Sequence, residues 1–177
     1  MLNKAHLILL RHAKSDWHSG VAGDFTRPLA PRGRKEAPRI GHWMQRNGII
    51  PDLSVCSPAT RTRETLAAVN DKLGVAHIVY EDALYGASLR ALLGLVEEYS
   101  RDCNNLMLTG HNPGMDELLR CLSRTRPPLT ETGKLMTTAT LAVLGFTNAG
   151  SMSKAAAGEL LHLIRPGDVV DTNRSGA

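Results

Sequence analysis

Short runs of apolar residues alternate along the chain with longer stretches in which apolar positions recur every three or four residues. The run 6–10, His-Leu-Ile-Leu-Leu, carries bulk on both faces of an extended chain and predicts a fully buried first strand. A polar loop over 15–31 follows. A helix over about 33–46 places Ala37, Ile40, Gly41 and Met44 on one face, and Asn47-Gly48 stops it. Pro38 predicts a kink there or a later start. Leu53–Cys56 reads as a short second strand. Ser57-Pro58 opens a helix whose stripe holds Leu66, Val69 and Leu73 and which Gly74 ends. A third strand over 76–80 leads to a helix capped by Ser88 and lined by Leu89, Leu92, Leu93, Val96 and Tyr99. A fourth strand covers 105–109, and a helix covers 113–123 until Pro127-Pro128 breaks the pattern. Strands over 139–146 and Glu159–Ile164 close the chain, joined by a Gly/Ser/Ala-rich connection, and a frayed tail is expected from Pro166.

Strands separated by helices of ten or more residues predict an α/β three-layer sandwich, with a mostly parallel central sheet and helices on both faces. Ligands of such sheets bind outside the carboxyl ends of the strands. The 177 residues suit a single domain, with its core over about 4–166. Hydrophobic residues make up 42% and aromatics 4%, so the core must be aliphatic. No apolar run approaches the roughly 18 residues of a membrane helix, and the first ten residues lack the form of a signal peptide. Cys56, Cys103 and Cys121 match no zinc or disulfide spacing, which predicts a reducing, cytoplasmic setting. The net charge is +4, and its Lys and Arg residues are dispersed, so an anionic substrate is expected rather than a nucleic-acid arm.

The four predicted parallel strand ends carry the chemistry. After the first come Arg11, His12, Ala13, Lys14 and Ser15, and after the second Ser57, Pro58, Ala59, Thr60 and Arg61. After the third come Glu81 and Asp82 ahead of Tyr85-Gly86, and after the fourth Gly110, His111, Asn112 and Pro113. Two imidazoles, at least two guanidinium groups and a carboxylate are therefore expected at one rim. The planar forks of Arg11 and Arg61 suit a tetrahedral oxyanion, and the helix starts near Pro58 and Pro113 add backbone amides. A neutral imidazole beside a bound phosphoryl group is a nucleophile, and a second, cationic imidazole stabilises charge on the equatorial oxygens. Side chains supply the positive charge, so neither a metal nor another cofactor is expected. His6, His18, His42, His77 and His162 read as structural or surface residues, Trp17 and Trp43 as packing residues, and Asp24 as a loop-ordering partner of Arg27. Lys14 and Ser15 read equally as phosphate-site lining or as a solvated loop.

These residues carry a resemblance. The segments 9–15 (LLRHAKS), 27–33 (RPLAPRG), 57–62 (SPATRT) and 110–114 (GHNPG) resemble, in order, the motifs of the histidine phosphatase superfamily, and most closely its phosphohistidine phosphatase SixA type. The resemblance extends from about 7 to 166 and implies the fold of the histidine phosphatases and phosphoglycerate mutases. It also implies His12 as the phosphorylated nucleophile, Arg11 and Arg61 as phosphate ligands and His111 as the second pocket histidine. Many phosphomonoesterases of the superfamily carry a Glu shortly before a Tyr-Gly or Phe-Gly pair as proton donor. Here Glu81 and Asp82 precede Tyr85-Gly86, with Asp82 at the closer spacing, so the acid is Asp82, Glu81 or neither. An alkoxide needs a proton to leave, whereas the imidazole of a phosphohistidine leaves readily.

The expectation is therefore a metal-independent phosphatase with an open site, acting on phosphohistidine of a phosphorylated protein. No nucleic-acid or membrane partner is expected. One alternative is a small-molecule phosphomonoesterase or mutase using Asp82 or Glu81. Another, of a different class, is a non-catalytic binder of phosphoproteins or nucleic acid.

Overall fold

The computed structural model describes residues 5–169. Its strands are β1 (Ala5–Arg11), β2 (Leu53–Cys56), β3 (Ile78–Tyr80), β4 (Asn105–Gly110), β5 (Leu141–Phe146) and β6 (Glu159–Ile164). Its α-helices are α1 (Pro31–Arg46), α2 (Thr60–Leu73), α3 (Leu89–Tyr99) and α4 (Gly114–Leu122). One six-stranded sheet runs in the order β3-β2-β4-β1-β5-β6. All pairings are parallel except those of β5, which runs antiparallel to both β1 and β6.

The alternation of side chains along each strand divides the core into two layers. Leu7 and Leu9 of β1, with Leu106 and Leu108 of β4, pack against Leu92 and Val96 of α3 and Leu118 and Leu122 of α4. Ile8 and Leu10, with Met107 of β4, face the other way onto Ala37, Ile40 and Met44 of α1 and Leu66 and Val69 of α2. A strand buried on both faces explains why the run 6–10 shows no polar alternation. Among the fully described buried hydrophobics only Phe146 carries a benzenoid ring, so the core is aliphatic.

Several boundaries differ from the sequence pattern for local reasons. α1 begins at Pro31, two residues before the expected start, because proline suits the first helical position. It continues through Pro38, held by its buried face of Ala37, Ile40, Gly41 and Met44. α2 starts at Thr60 rather than Pro58, and β3 and β5 are each two residues shorter than predicted at their N-terminal ends. The fraying expected from Pro166 is not found over 166–169. There a 3-10 turn, Pro166–Asp168, is closed by the Asp168 side chain accepting from Arg165 N at 2.8 Å. Val169 is buried beside α1, with its carbonyl accepting from Arg39. The remaining tail, 170–177, lies outside the described residues. None of the described helices is long and apolar enough to cross a membrane.

Candidate active site

The register of the sheet brings the site together. Arg11 of β1 lies opposite Gly110 of β4, and Cys56 of β2 lies opposite Thr109. The three strands therefore end level, and the residues that follow emerge side by side. His12 N donates to the Gly110 carbonyl at 3.1 Å and Ser57 N to the Thr109 carbonyl at 3.0 Å. The rings of His12 and His111 consequently stand with centroids 5.2 Å apart, at 55° to one another. Arg61 enters from the first turn of α2, which Thr62 anchors by donating to the Ser57 carbonyl at 2.8 Å. Together with Arg11, Lys14, Ser15, Trp17, Asp24, Arg27, Asn112 and Thr138, these side chains line a cleft of about 320 Å³. The four sequence-predicted residues Arg11, His12, Arg61 and His111 thus converge.

Hydrogen bonding fixes both imidazoles. His12 Nδ1 lies 2.8 Å from the Ala13 carbonyl. A carbonyl only accepts, so Nδ1 carries the hydrogen and Nε2 keeps its lone pair. Burial pushes the His12 pKa from 6.5 down to about 3; the Ala13 bond opposes this, and the charges of Arg61 and Arg11 add to the fall. His12 is therefore neutral at physiological pH. At His111 the guanidinium of Arg61 only donates, so Nδ1 accepts its Nη2 bond at 3.2 Å, while Nε2 faces Ser57 Oγ at 2.9 Å. Burial, then the Arg61 charge, lowers the His111 pKa to about 4, against the partial opposition of Asp24. The second imidazole, expected from the sequence to be cationic, is thus neutral at physiological pH. Arg11 is steadied by an Nη1 bond to the Met136 carbonyl at 2.6 Å. The same carbonyl accepts from Asn112 Nδ2 at 3.1 Å.

Neither candidate acid is among the residues that line this cleft. β3 is the edge strand, three strand spacings or about 14 Å from β1. Glu81 caps the turn after it, accepting from Ala83 N at 3.0 Å and from the Tyr99 hydroxyl at 3.1 Å. Asp82 begins that 3-10 turn and is exposed, and it is absent from the cleft lining. The turn instead sends Tyr85 back toward the site, its ring edge-on to His111 at 5.4 Å.

The carboxylate in the lining is Asp24, from the polar loop. It does pair with Arg27, as the sequence reading held, at 2.6 Å. It also accepts from Arg61 Nη2 at 2.8 Å and from the Tyr85 hydroxyl at 2.8 Å. Its modest burial acts to raise its pKa, but the bonds from Tyr85 and Arg27 and the charge of Arg61 prevail and hold it at about 2. Arg27 in turn donates to Ser15 Oγ and stacks 3.5 Å over the exposed ring of Trp17. Lys14 and Ser15 therefore belong to the cleft, and Trp17 stands at its mouth rather than packing inside. The loop has no periodicity from which these roles could be read; the pairing of Asp24 with Arg27 was its one signal.

Among the described residues, no group of three or more His, Cys, Asp or Glu side chains is placed to hold a metal ion. The cleft combines cationic side chains suited to an oxyanion with a buried neutral imidazole whose Nε2 keeps its lone pair.

Known proteins resemble this chain in sequence and in fold. The uncharacterized protein Rv1276c of Mycobacterium tuberculosis is 38% identical over 104 residues, covering 59% of this chain and 63% of its own length. A 2,3-bisphosphoglycerate-dependent phosphoglycerate mutase of Nitrosomonas europaea is 38% identical over 76 residues, covering 41% of this chain and 32% of its own. The aligned region is thus less than two thirds of these curated relatives' length. A candidate phosphohistidine phosphatase SixA from Agrobacterium tumefaciens superposes with a TM-score of 0.76 at 28% identity, over 92% of this chain and 98% of its own. A second SixA candidate, from Nakamurella, gives 0.74 at 29%, over 92% and 96%. The model of the histidine phosphatase superfamily (branch 1) matches residues 7–117, the stretch that delivers all four convergent side chains, and this chain belongs to that family.

Proposed function

We propose that the protein is a phosphatase that passes a phosphoryl group through Nε2 of His12, and that its favoured substrate is phosphohistidine on a protein. In the first step the His12 Nε2 lone pair attacks phosphorus in line, the Nε2–P bond forms, and the P–N bond to the substrate imidazole breaks. In the second step water attacks the phosphoimidazole, the Nε2–P bond breaks with its electron pair returning to Nε2, and orthophosphate leaves with the water's oxygen and both its protons. Arg11 and Arg61 bind the equatorial oxygens through both transfers. The dianionic phosphoryl group raises the pKa of His111 and draws a proton onto it, which supplies the cationic partner the free cleft lacks.

The observation that carries the substrate class is the nature of the cleft carboxylate. Asp24 stays ionised to about pH 2, and Glu81 and Asp82 lie elsewhere. Among the described residues lining the cleft, no carboxylic acid stands ready to protonate an alkoxide. A phosphoimidazole protonated on its other ring nitrogen departs as neutral imidazole and needs no such donor. The three cysteines are free thiols, which supports a reducing, cytoplasmic setting.

The test is a single-turnover quench with a phosphohistidine protein. Acid-labile, alkali-stable phosphate should appear on the chain and be absent in His12→Ala; full turnover by that variant would remove the mechanism. The likeness to a phosphoglycerate mutase favours, as a second reading, a small-molecule phosphomonoesterase. A panel of phosphohistidine proteins and small phosphoesters separates the two.

A further inference from the structure

Arg61 is the most deeply buried guanidinium of the cleft, and its fork is already occupied. Nη1 donates to the main-chain carbonyl of Asp24 at 2.6 Å and Nη2 to Asp24 Oδ2 at 2.8 Å. The same carboxylate takes Nη2 of Arg27 on Oδ1. One side chain thus bridges two of the cleft's arginines with the two-oxygen geometry a phosphoryl group would use. Arg61 is 6% exposed, whereas Asp24 is 44% exposed and sits in a loop whose residues 20–26 are all exposed. The more accessible partner is the carboxylate.

We propose that Asp24 is an internal competitor for the phosphate site: it holds Arg61 and Arg27 in the free protein, yields them to the phosphoryl oxygens, and reclaims them as orthophosphate leaves. Asp24 thereby sets how tightly oxyanions bind and prevents the cationic pocket from retaining its product. This rests on reading the cleft as a phosphate site. A carboxylate that merely positioned Arg61 would have the opposite effect on anion affinity.

The experiment titrates orthophosphate and tungstate into the wild-type chain and Asp24→Asn, both in a Trp43→Phe background. Binding is read by calorimetry and by the emission of Trp17, which stacks on Arg27 and senses its partners. Asp24→Asn should bind both anions about tenfold more tightly, as expected for removing one charge-assisted competitor. Trp17 emission should shift on anion binding in the wild type, and in the unliganded variant should already lie toward the bound value. Weaker or unchanged anion affinity in a folded Asp24→Asn overturns the proposal. Failure of both proteins to bind either anion overturns instead the reading of the cleft itself. Should Asp24→Asn not fold, Tyr85→Phe, which removes one tether of Asp24 and no charge, should also tighten binding; its failure to do so counts equally against the proposal.

Discussion

Replacing Gly33 by alanine tests how the first strand's loop is held in place. Gly33 lies in the first turn of α1, and a Cβ there would stand 2.2 Å from the Lys14 carbonyl oxygen and 2.9 Å from Lys14 N. Ordinary contact begins near 3.4 Å, so helix and loop must separate by about 1 Å. The loop cannot move freely. The Lys14 carbonyl accepts from Ala30 N at 2.9 Å, and Ala13 N donates to Thr65 Oγ1 at 2.9 Å. The carbonyl of Ala13 orients His12, so a shift of Lys14 turns the nucleophile. Overpacking costs about 1–3 kcal/mol, offset by the ~0.5–1 kcal/mol that alanine gains over glycine within a helix. The net loss, about 1–2 kcal/mol, lowers Tm by roughly 2–8 °C in a chain of this size. Displacement of a nucleophile by 1 Å costs about 10²-fold in kcat/KM. Gly41→Ala is the matched control. Its Cβ would stand 2.6 Å from the Val69 carbonyl in the α1–α2 contact, one turn beyond Thr65 and two beyond Arg61 on α2 rather than against the loop that carries His12. It should lose comparable Tm by calorimetry and keep kcat/KM within about threefold of wild type, since a buried clash far from the site costs stability rather than turnover. If Gly33→Ala keeps full activity, or Gly41→Ala loses as much, the coupling of α1 to the nucleophile through Lys14 is refuted.

Two further predictions concern titration and the displaced acids. The depressed pKa of His12 means that as pH falls below 6.5 the unfolded chain takes up a proton that the folded chain refuses, so stability declines from 6.5 toward about 3, and His111 adds to the decline down to about 4. His12→Asn should therefore lose about 2 kcal/mol less than wild type between pH 7 and pH 5 in urea unfolding, and an equal loss would contradict the burial of a neutral ring. Glu81→Gln and Asp82→Asn should each leave kcat/KM on a phosphoramidate and on an aryl phosphate within about threefold, because neither touches the reacting atoms. A loss of a hundredfold on the ester alone would instead make one of them the proton donor.

How much of this could be read in the sequence depended on which kind of order encodes it. Arg11, His12 and His111 were legible because each ends or directly follows a strand unmistakable from its apolar run, and a parallel sheet collects such positions at one edge. Arg61 follows its strand by only a few residues and was found the same way. Glu81 and Asp82 obey the same rule and still miss the site. Chain order does not give lateral order, and β3 is the outermost strand. Asp24, Arg27 and Trp17 fail for the opposite reason. Their loop has no period, and its shape is set by contacts to Arg61 and Tyr85, residues 37 and 61 positions away from Asp24. The tail misled because a short polar-looking stretch hides a capped turn and one buried valine.

The same positive charges serve two ends that reinforce each other. Burial beside Arg11 and Arg61 keeps His12 neutral, and neutrality makes it a nucleophile. Those guanidinium groups also attract the phosphoryl dianion toward that lone pair. Arrival of the dianion cancels much of the positive field, and the effect differs between the two rings. His12 Nε2 becomes committed to phosphorus and cannot take the proton. On the proposed mechanism His111 makes no bond to phosphorus, so it is the ring that the dianion can draw a proton onto once Arg61 Nη2 turns from its Nδ1 to the phosphoryl oxygens. One ring is thus engaged with phosphorus and the other becomes charged, although both begin neutral. Asp24 fits the same logic, because before substrate arrives an ionised carboxylate is the one group that satisfies buried guanidinium forks without protonating either ring. A neutral hydrogen-bond acceptor in its place would leave Arg61 and Arg27 short of countercharge.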